Sequence, residues 1–199
     1  GYSNVTDNAS RCHWTITGCR FLLVRALSCF SVLSSALHWE KHMSIEYQLD
    51  HPVESVYALL TDKAFLAQRV EALGEDPPSV KISKKGKKVN IQLHRAARRD
   101  LPKVAAKVIG SVQKFTMNES WEPDGAGWSG SYLIEFDGVP GHVAADFELY
   151  PTDDGCIYRI THKPRVKLPV IGKTLEKILA SQVAEGCDDE IDYLFNYLN

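Results

Sequence analysis

The sequence predicts an α+β fold in which a curved antiparallel sheet of about seven strands wraps around one long C-terminal helix. Three observations lead to this prediction. A strand pattern opens at Met43, and two short helical patterns follow it. A run of alternating apolar and polar segments comes next, separated by turn signals. The chain then ends in a helical pattern over 171–198, which is long enough to cross a whole sheet.

The first three elements are predicted from short local patterns. Ile45, Tyr47 and Leu49 alternate with polar residues, which indicates a half-buried strand over 44–50. Pro52 suits the first position of a helix, and Asp62 can cap a second helix. Two short helices are therefore expected directly after the first strand. Each carries an apolar face, formed by Val53, Val56, Tyr57, Leu60, Phe65, Leu66 and Val70.

The middle of the chain reads as a series of strands. Alternation predicts them over 80–83, 89–93, 112–121, 128–136, 143–149 and 157–162. The first two flank a lysine-rich turn with Gly86 at its centre, which is typical of a hairpin. The segment 100–110 contains Pro102 and small residues, and it is predicted to be a loop.

Composition indicates one globular domain over 43–199. The chain has 199 residues, of which 44% are hydrophobic and 24% charged, with a net charge of −2. A net charge near zero argues against a general nucleic-acid binder. Cys156 and Cys187 are the only cysteines after Met43. They form neither a disulfide framework nor a metal-ligand spacing, so a reduced, cytoplasmic setting is expected.

Residues 1–42 differ from the rest, since they carry three of the five cysteines and little charge. The preferred hypothesis is a leader translated from sequence upstream of a true start at Met43. A targeting segment is an alternative, because an apolar run over 26–37 follows Arg20 and Arg25 and ends near small residues. It would make the protein secreted. A membrane-anchoring helix over 21–37 is a third hypothesis, although this stretch is short and contains Arg25.

The opening of the domain resembles a known superfamily. The motifs IEY (45–47) and HPVESVY (51–57) describe a strand running into a proline-led helix. This start, and the element order over 43–198, are similar to the START-like superfamily of lipid-transfer domains, polyketide cyclases and birch-pollen-allergen-like proteins. More narrowly, the chain resembles a mainly actinobacterial family to which no function has been assigned. The resemblance implies a helix-grip fold with a hydrophobic cavity between sheet and helix. It implies no catalytic residue.

A cavity in this place would be lined by inward-facing residues of the strands and of the terminal helix. Aromatic residues there form a core more often than a pocket, but ligand sites are also mostly apolar. Gly186 lies within the terminal helix and either permits close packing or opens a gap beside the cavity. The predicted ligand-binding residues are Phe115, Met117, Trp128, Tyr132, Phe136, Phe147, Tyr158, Ile178, Gln182 and Gly186.

Two further groups of residues are candidates for chemistry. Polar groups inside a cavity can polarise a carbonyl, and Tyr132, Tyr158, Arg159 and Gln182 are candidates for this role. No nucleophile–base pair is recognisable, so catalysis is not the preferred interpretation. Histidines do not have the close spacing of a metal site, and alternation places His94 and His142 on the outer face.

A basic stretch over 81–107 contains only one acid, Asp100. It either forms solvated strand edges that block pairing with other sheets, or it docks to an anionic membrane surface. Aromatic residues are not interleaved with the lysines, so nucleic acid is not expected as a partner. The residues predicted to contact an anionic surface are Lys84, Lys85, Lys87, Lys88, Arg95 and Arg98.

The sequence therefore favours a non-catalytic protein that binds, and in one version transports, a lipid-like or other hydrophobic small molecule, with no cofactor and no metal. An enzyme of the cyclase or dehydratase type is the first alternative. An interaction module that docks through its basic surface is the second. The oligomeric state and the identity of the ligand stay open.

Overall fold

A computed structural model describes residues 43–98, 103, 106–107, 110 and 112–199 of the protein. It confirms the predicted α+β architecture: seven strands, two short helices after the first strand and a long terminal helix. The leader hypothesis for residues 1–42 lies outside the described residues. The elements are β1 (Met43–Leu49), α1 (Val53–Leu60), α2 (Lys63–Ala72), β2 (Ser79–Lys85), β3 (Lys88–Arg98), β4 (Val112–Asp124), β5 (Gly127–Phe136), β6 (Gly141–Thr152), β7 (Gly155–Val166) and α3 (Gly172–Leu198).

The strands form one antiparallel sheet in the order β1-β7-β6-β5-β4-β3-β2. Strands β2 to β7 follow one another as a meander, and β1 joins the far edge by pairing with β7, with Ile45 opposite Ile160. Helix α3 packs against β7 and β1, and α2 packs against α3 and β2. The apolar faces of sheet and helices thus meet in one core.

Strands β4 and β7 each run past a proline that lies beyond the end predicted from the sequence pattern, as β6 does at Pro151. Pro123 lies in β4 opposite Trp128, and Pro164 lies in β7 opposite Val143. A proline cannot donate a ladder hydrogen bond, so it is tolerated where the strand has no second neighbour. The pairing of β4 with β3 ends at Trp121, and the pairing of β7 with β1 ends at His162. Both prolines therefore lie beyond the end of the second neighbouring strand.

The structure differs from the sequence prediction over 100–110. The predicted loop is wrong at Lys103, Ala106 and Lys107, which are helical, whereas Gly110 has no regular secondary structure. The amide of Gly110 donates to the carbonyl oxygen of Ala106 at 2.9 Å, which is the hydrogen bond of a helical turn. Alanine and lysine are good helix formers, and their preference outweighs the loop signal here.

The two short helices begin in different ways. Pro52 has φ −56° and ψ 139°, so it precedes the first residue of α1 instead of occupying it as predicted. Asp62 caps α2 as predicted, because its carboxylate accepts a hydrogen bond from the amide of Phe65 at 2.7 Å. This cap sets the direction of α2, which carries Arg69 toward the sheet.

We expect the Asp62→Ala variant to lower the free energy of unfolding by about 1 kcal/mol, because the Phe65 amide would lose its partner. Asp62→Asn is the matched control, since its side-chain oxygen can still accept this hydrogen bond. Urea unfolding followed by circular dichroism measures both. Equal losses in the two variants would contradict a capping role.

Trp121 is the centre of the aromatic core and is fully buried. Its ring centroid lies 4.4 Å from that of Phe147, 5.5 Å from that of Tyr57 and 6.0 Å from that of Tyr158. Tyr57 of α1 in turn stacks on Trp128 with centroids 4.0 Å apart. Helix α1 therefore covers this part of the sheet and fills the space beneath it with aromatic rings.

Candidate functional site

A cavity of about 100 Å³ lies between the inner face of the sheet and helices α2 and α3. Most of its wall is apolar. The apolar lining residues are Leu60, Leu66, Ala97, Phe115, Met117, Ile134, Phe136, Ile160, Leu179, Val183 and Ile191. The polar ones are Arg69, Arg95, Gln113, Glu119, Tyr132, Tyr158, Gln182, Cys187 and Glu190. The cavity thus joins an apolar body to several polar side chains.

Strand β4 shows how the sequence builds this wall. Gln113, Phe115, Met117 and Glu119 alternate with outward-facing residues and all line the cavity. Phe115 and Met117 are only partly buried, although they lie on the inner face. Since Trp121, two residues beyond Glu119, is fully buried, the boundary between cavity and filled core falls between these two residues.

Gly186 contributes to the opposite wall from the middle of α3. It is buried and lines the cavity. A glycine in a helix interior costs about 1 kcal/mol relative to alanine, so its presence here needs a reason. The absence of a side chain at this position leaves room in the cavity.

The structure brings together most of the residues predicted to bind a ligand. Phe115, Met117, Tyr132, Phe136, Tyr158, Gln182 and Gly186 line the cavity. Trp128 and Phe147 do not line it, because they belong to the aromatic core under α1. Ile178 also lies outside the wall and packs against the core. That the lining residues bind a ligand stays a prediction.

An ion cluster of Arg69, Glu75, Arg95 and Glu190 borders the cavity. Arg95 donates to both carboxylate oxygens of Glu75, from Nε at 2.9 Å and from Nη2 at 2.7 Å. Its Nη1 donates to Glu190, whose other oxygen lies 2.9 Å from Nη2 of Arg69. The side chains of Arg69 and Arg95 are 6% and 4% exposed. These charges are therefore held away from bulk water.

The ion cluster links four separate parts of the chain: α2, the turn after it, β3 and α3. Burial alone would lower the pKa of Arg95, but Glu190 and Glu75 more than offset this and raise that pKa above its usual value. Arg95 therefore stays charged, and the cluster fixes α3 to the sheet beside the cavity.

The structure corrects the prediction that Arg95 contacts an anionic surface. Its side chain points inward and pairs with acids, so it is not part of the basic surface. Lys84, Lys85 and Lys87 are exposed at the β2–β3 turn, Arg98 is exposed at the end of β3, and Lys88 pairs with Glu122. Contact of these five basic residues with an anionic surface stays a prediction.

The sequence makes Arg159 a candidate for a polar group inside the cavity, but the structure does not place it there. It lies on the outer face and pairs with Glu46 and Glu148, and its Nη2 donates to the hydroxyl of Tyr150 at 2.9 Å. His94 is exposed on this outer face as predicted, with Nδ1 2.9 Å from the hydroxyl of Thr116.

Glu119 is the acidic residue that sequence reasoning missed. It lines the cavity, and one of its oxygens accepts a hydrogen bond from the indole N–H of Trp121. Burial raises the pKa of Glu119 to about 7, opposed in part by this hydrogen bond and by the charge of Arg69. Near neutral pH, its carboxyl group is thus divided between the acid and the carboxylate. Its place in the alternation of β4, on the face of Phe115 and Met117, is the signal that could have found it.

Two tyrosines face Glu119 from other strands of the sheet. Tyr132 stands opposite it on β5, and Tyr158 lies on β7. Burial raises the pKa of both phenols well above the usual value, and the nearby charge of Glu119 adds to this effect. Both therefore remain protonated. The hydroxyl of Tyr132 is hydrogen-bonded to the sulfur of Cys187, whereas that of Tyr158 is available as a donor.

Cys187 lines the same cavity, and His162 contacts it from outside the wall. The sulfur of Cys187 is 3.7 Å from Nε2 of His162. Burial raises the pKa of the thiol to about 12, and burial lowers the pKa of the fully buried His162 to about 4. The pair is thus a neutral thiol beside a neutral imidazole at physiological pH.

Within the described ranges, no group of three or more His, Cys, Asp or Glu side chains is placed to hold a metal ion. In the same part of the chain, no helix combines the length and the apolar character that crossing a membrane requires.

Several solved structures share the fold. The protein TTHA0849 from Thermus thermophilus matches with a TM-score of 0.55 and 15% identity, over 78% of this chain and 94% of that chain. Ara h 8.0201 matches with a TM-score of 0.53 and 12% identity, over 78% and 95%. Protein Ms6760 from Mycobacterium smegmatis matches with a TM-score of 0.51 and 15% identity, over 80% and 91%. Identities this low show a common fold alone.

The sequence itself matches one family over almost the entire described domain. No curated protein matches the sequence of this chain. Residues 44–198 match the family described as "Protein of unknown function (DUF2505)", and the chain belongs to this family.

Proposed function

We propose that the protein binds a lipid-like or other apolar small molecule in the cavity between the sheet and α3, without a chemical step. The observation that carries the proposal is the cavity itself, which lies between the sheet and helices α2 and α3 and has a mostly apolar wall. Packed interiors contain few voids larger than a water molecule. The resemblance of the sequence to START-like proteins supports the same class of ligand.

Desolvation would supply the binding free energy. Phe115, Met117 and Phe136 are only partly buried, so a ligand in the cavity would remove both its own apolar surface and theirs from water. Burying about 200 Å² of apolar surface contributes about 5 kcal/mol before the cost of ordering the ligand. A cavity of about 150 Å³ can hold benzene, so the present volume suits a small apolar group.

The direct test is native mass spectrometry of the full-length protein, first under gentle and then under denaturing conditions, followed by organic extraction. We expect an apolar species that leaves the protein on denaturation. Absence of such a species, together with no uptake of small apolar compounds added at saturation, would contradict the proposal.

Gly186→Leu tests whether the ligand occupies this cavity. The new side chain would extend into the space that Gly186 leaves open, and we expect apolar ligand uptake to fall at least tenfold, which is about 1.4 kcal/mol. Leucine favours a helix more than glycine does, so α3 itself is not weakened. The matched control is Ser181→Leu, because Ser181 is exposed on the same helix. Equal uptake by the Gly186 variant and the wild type would place the ligand elsewhere.

A further inference from the structure

We propose that the ligand carries an uncharged acceptor oxygen of the carbonyl type, and that Glu119 and Tyr158 hold this oxygen by donating hydrogen bonds to it. The inference rests on the proposed function and adds the chemical class of the ligand's polar group.

The first argument is that both residues present an unused polar atom to the cavity. One carboxyl oxygen of Glu119 accepts from Trp121, and no hydrogen bond to its other oxygen occurs among the described residues. The hydroxyl of Tyr158 likewise has no partner within the described part of the chain. Neither atom is enclosed by protein. A ligand that displaces water from the cavity must pair with these two atoms, because a polar group left there without a partner is costly. The two atoms therefore favour a ligand with a polar group.

The second argument concerns which partner donates in these hydrogen bonds. Burial holds the pKa of Glu119 near 7 and that of Tyr158 well above its usual value. At and below neutral pH, both groups therefore offer an O–H. Two donors that face one space suit an acceptor oxygen.

The third argument concerns charged head groups. An anionic head group needs an available cation, but Arg95 is occupied by Glu75 and Glu190, and Arg69 is occupied by Glu190. Nε of Arg69 has no partner among the described residues, but it is enclosed by protein and cannot be reached. A cationic head group would need Glu119 to be ionised, which its burial opposes. A neutral acceptor needs neither an available cation nor an ionised Glu119.

Four titratable or charged groups face Glu119 and set its ionisation. They come from different elements: Arg69 from α2, Tyr132 from β5, Tyr158 from β7 and Glu190 from α3. Arg69 lowers the pKa of Glu119 and Glu190 raises it, and these two form an ion pair with each other. The protonation of Glu119, whose pKa is about 7, therefore depends on charges held by other elements of the fold.

The test uses three probes with one skeleton: acetophenone, ethylbenzene and 1-phenylethylamine. Their affinities for the full-length protein are measured by isothermal titration calorimetry at about pH 6 and pH 8.5, on either side of the Glu119 pKa. At the lower pH we expect acetophenone to bind about tenfold more tightly than ethylbenzene, as two hydrogen bonds of modest net strength imply. At the higher pH this ratio should fall several-fold, because ionised Glu119 no longer donates.

Two substitutions separate the two donors. Tyr158→Phe should reduce the ratio severalfold at both pH values, and Glu119→Gln, whose amide still donates, should make the ratio independent of pH. Tyr150→Phe is the control, since Tyr150 bonds to Arg159 on the outer face. If Tyr158→Phe does not fold, the inference is still tested by the pH dependence of the affinity ratio in the wild type and by its absence in Glu119→Gln.

Acetophenone and ethylbenzene binding equally well to the wild type would overturn this inference and leave the proposed function standing. Preferential binding of 1-phenylethylamine would overturn it as well, because the site would then take a cation. A failure of all three probes to bind would contradict the proposed function too.

Discussion

Arg95→Met is expected to lower the free energy of unfolding by about 3–5 kcal/mol, since removal of one partner leaves buried charge without compensation. Arg95 donates to Glu75 at 2.7 and 2.9 Å and to Glu190 as well. The side chain of Glu75 is only 6% exposed, so water cannot replace the lost guanidinium. Methionine keeps an apolar stem of similar length, but it also removes the guanidinium carbon that lies 5.4 Å from the centroid of the Phe115 ring.

The control is Arg159→Met on the outer face of the sheet. Arg159 also contacts two glutamates, but its side chain is 38% exposed, and those of its partners are 53% and 55% exposed. Exposed ion pairs contribute about 0–1 kcal/mol, so this variant should remain close to the wild type. Chemical unfolding at neutral pH measures both variants. Losses of the same size would show that burial of the ion cluster does not determine its contribution.

Glu119→Gln is expected to raise the free energy of unfolding by up to about 3 kcal/mol above pH 7 and to change it little below about pH 4. The pKa of Glu119 is about 7 in the folded protein against an ordinary value of 4.5. Below 4.5 the carboxyl group is protonated in both states and costs nothing. Between 4.5 and 7 only the unfolded chain ionises, so stability falls as pH rises. Above pH 7 the folded protein bears the full free-energy cost of burying the ionised carboxylate. The neutral amide of the Glu119→Gln variant removes this cost.

His162 has the opposite pH dependence and must be considered in the same measurement. Its pKa is about 4 in the folded protein against 6.5 ordinarily, because it is buried as the neutral imidazole. As pH falls from 6.5 to 4, the unfolded chain takes up a proton that the folded protein does not, so stability is lost. In the wild type the two residues therefore offset each other over this range.

Urea unfolding between about pH 4 and pH 8.5 separates the two contributions. The wild type should show a shallow profile, and Glu119→Gln should lose stability steeply on acidification, because only the His162 contribution remains. Parallel profiles for wild type and variant would contradict a raised pKa at Glu119.

The alternation pattern was sufficient to predict the strands and to identify much of the cavity wall. On β4, the pattern places Phe115 and Met117 on one face, and the structure places them in the wall. The same pattern puts Arg95 on the inner face with Ile91 and Leu93, so the alternation of β3 is enough to indicate that Arg95 points inward. The charge of the neighbouring lysines led to the surface interpretation. The partner of Arg95 on α3, Glu190, lies 95 residues away, a pairing that no local pattern shows.

The division of the inner face into core and cavity could not be predicted. Trp128 and Phe147 alternate with polar residues just as Tyr132 and Phe136 do. Trp128 belongs to the core because Tyr57 of α1 stacks on it, and Phe147 because it packs on Trp121. Which rings a helix covers depends on how that helix lies across the sheet, and a single sequence does not specify this.

The pairing of the first strand with the last determines when this domain can complete its folding. Thr161 of β7 donates a side-chain hydrogen bond to Ser44 of β1 across 117 residues of chain. During synthesis β1 emerges long before β7, and α3, which covers the inner face, follows β7. The growing meander therefore exposes an apolar face and an unpaired edge until β7 and α3 have been made. Such long-range pairing of strands forms slowly, and chains that expose an apolar face and an unpaired edge are prone to aggregation until both are covered.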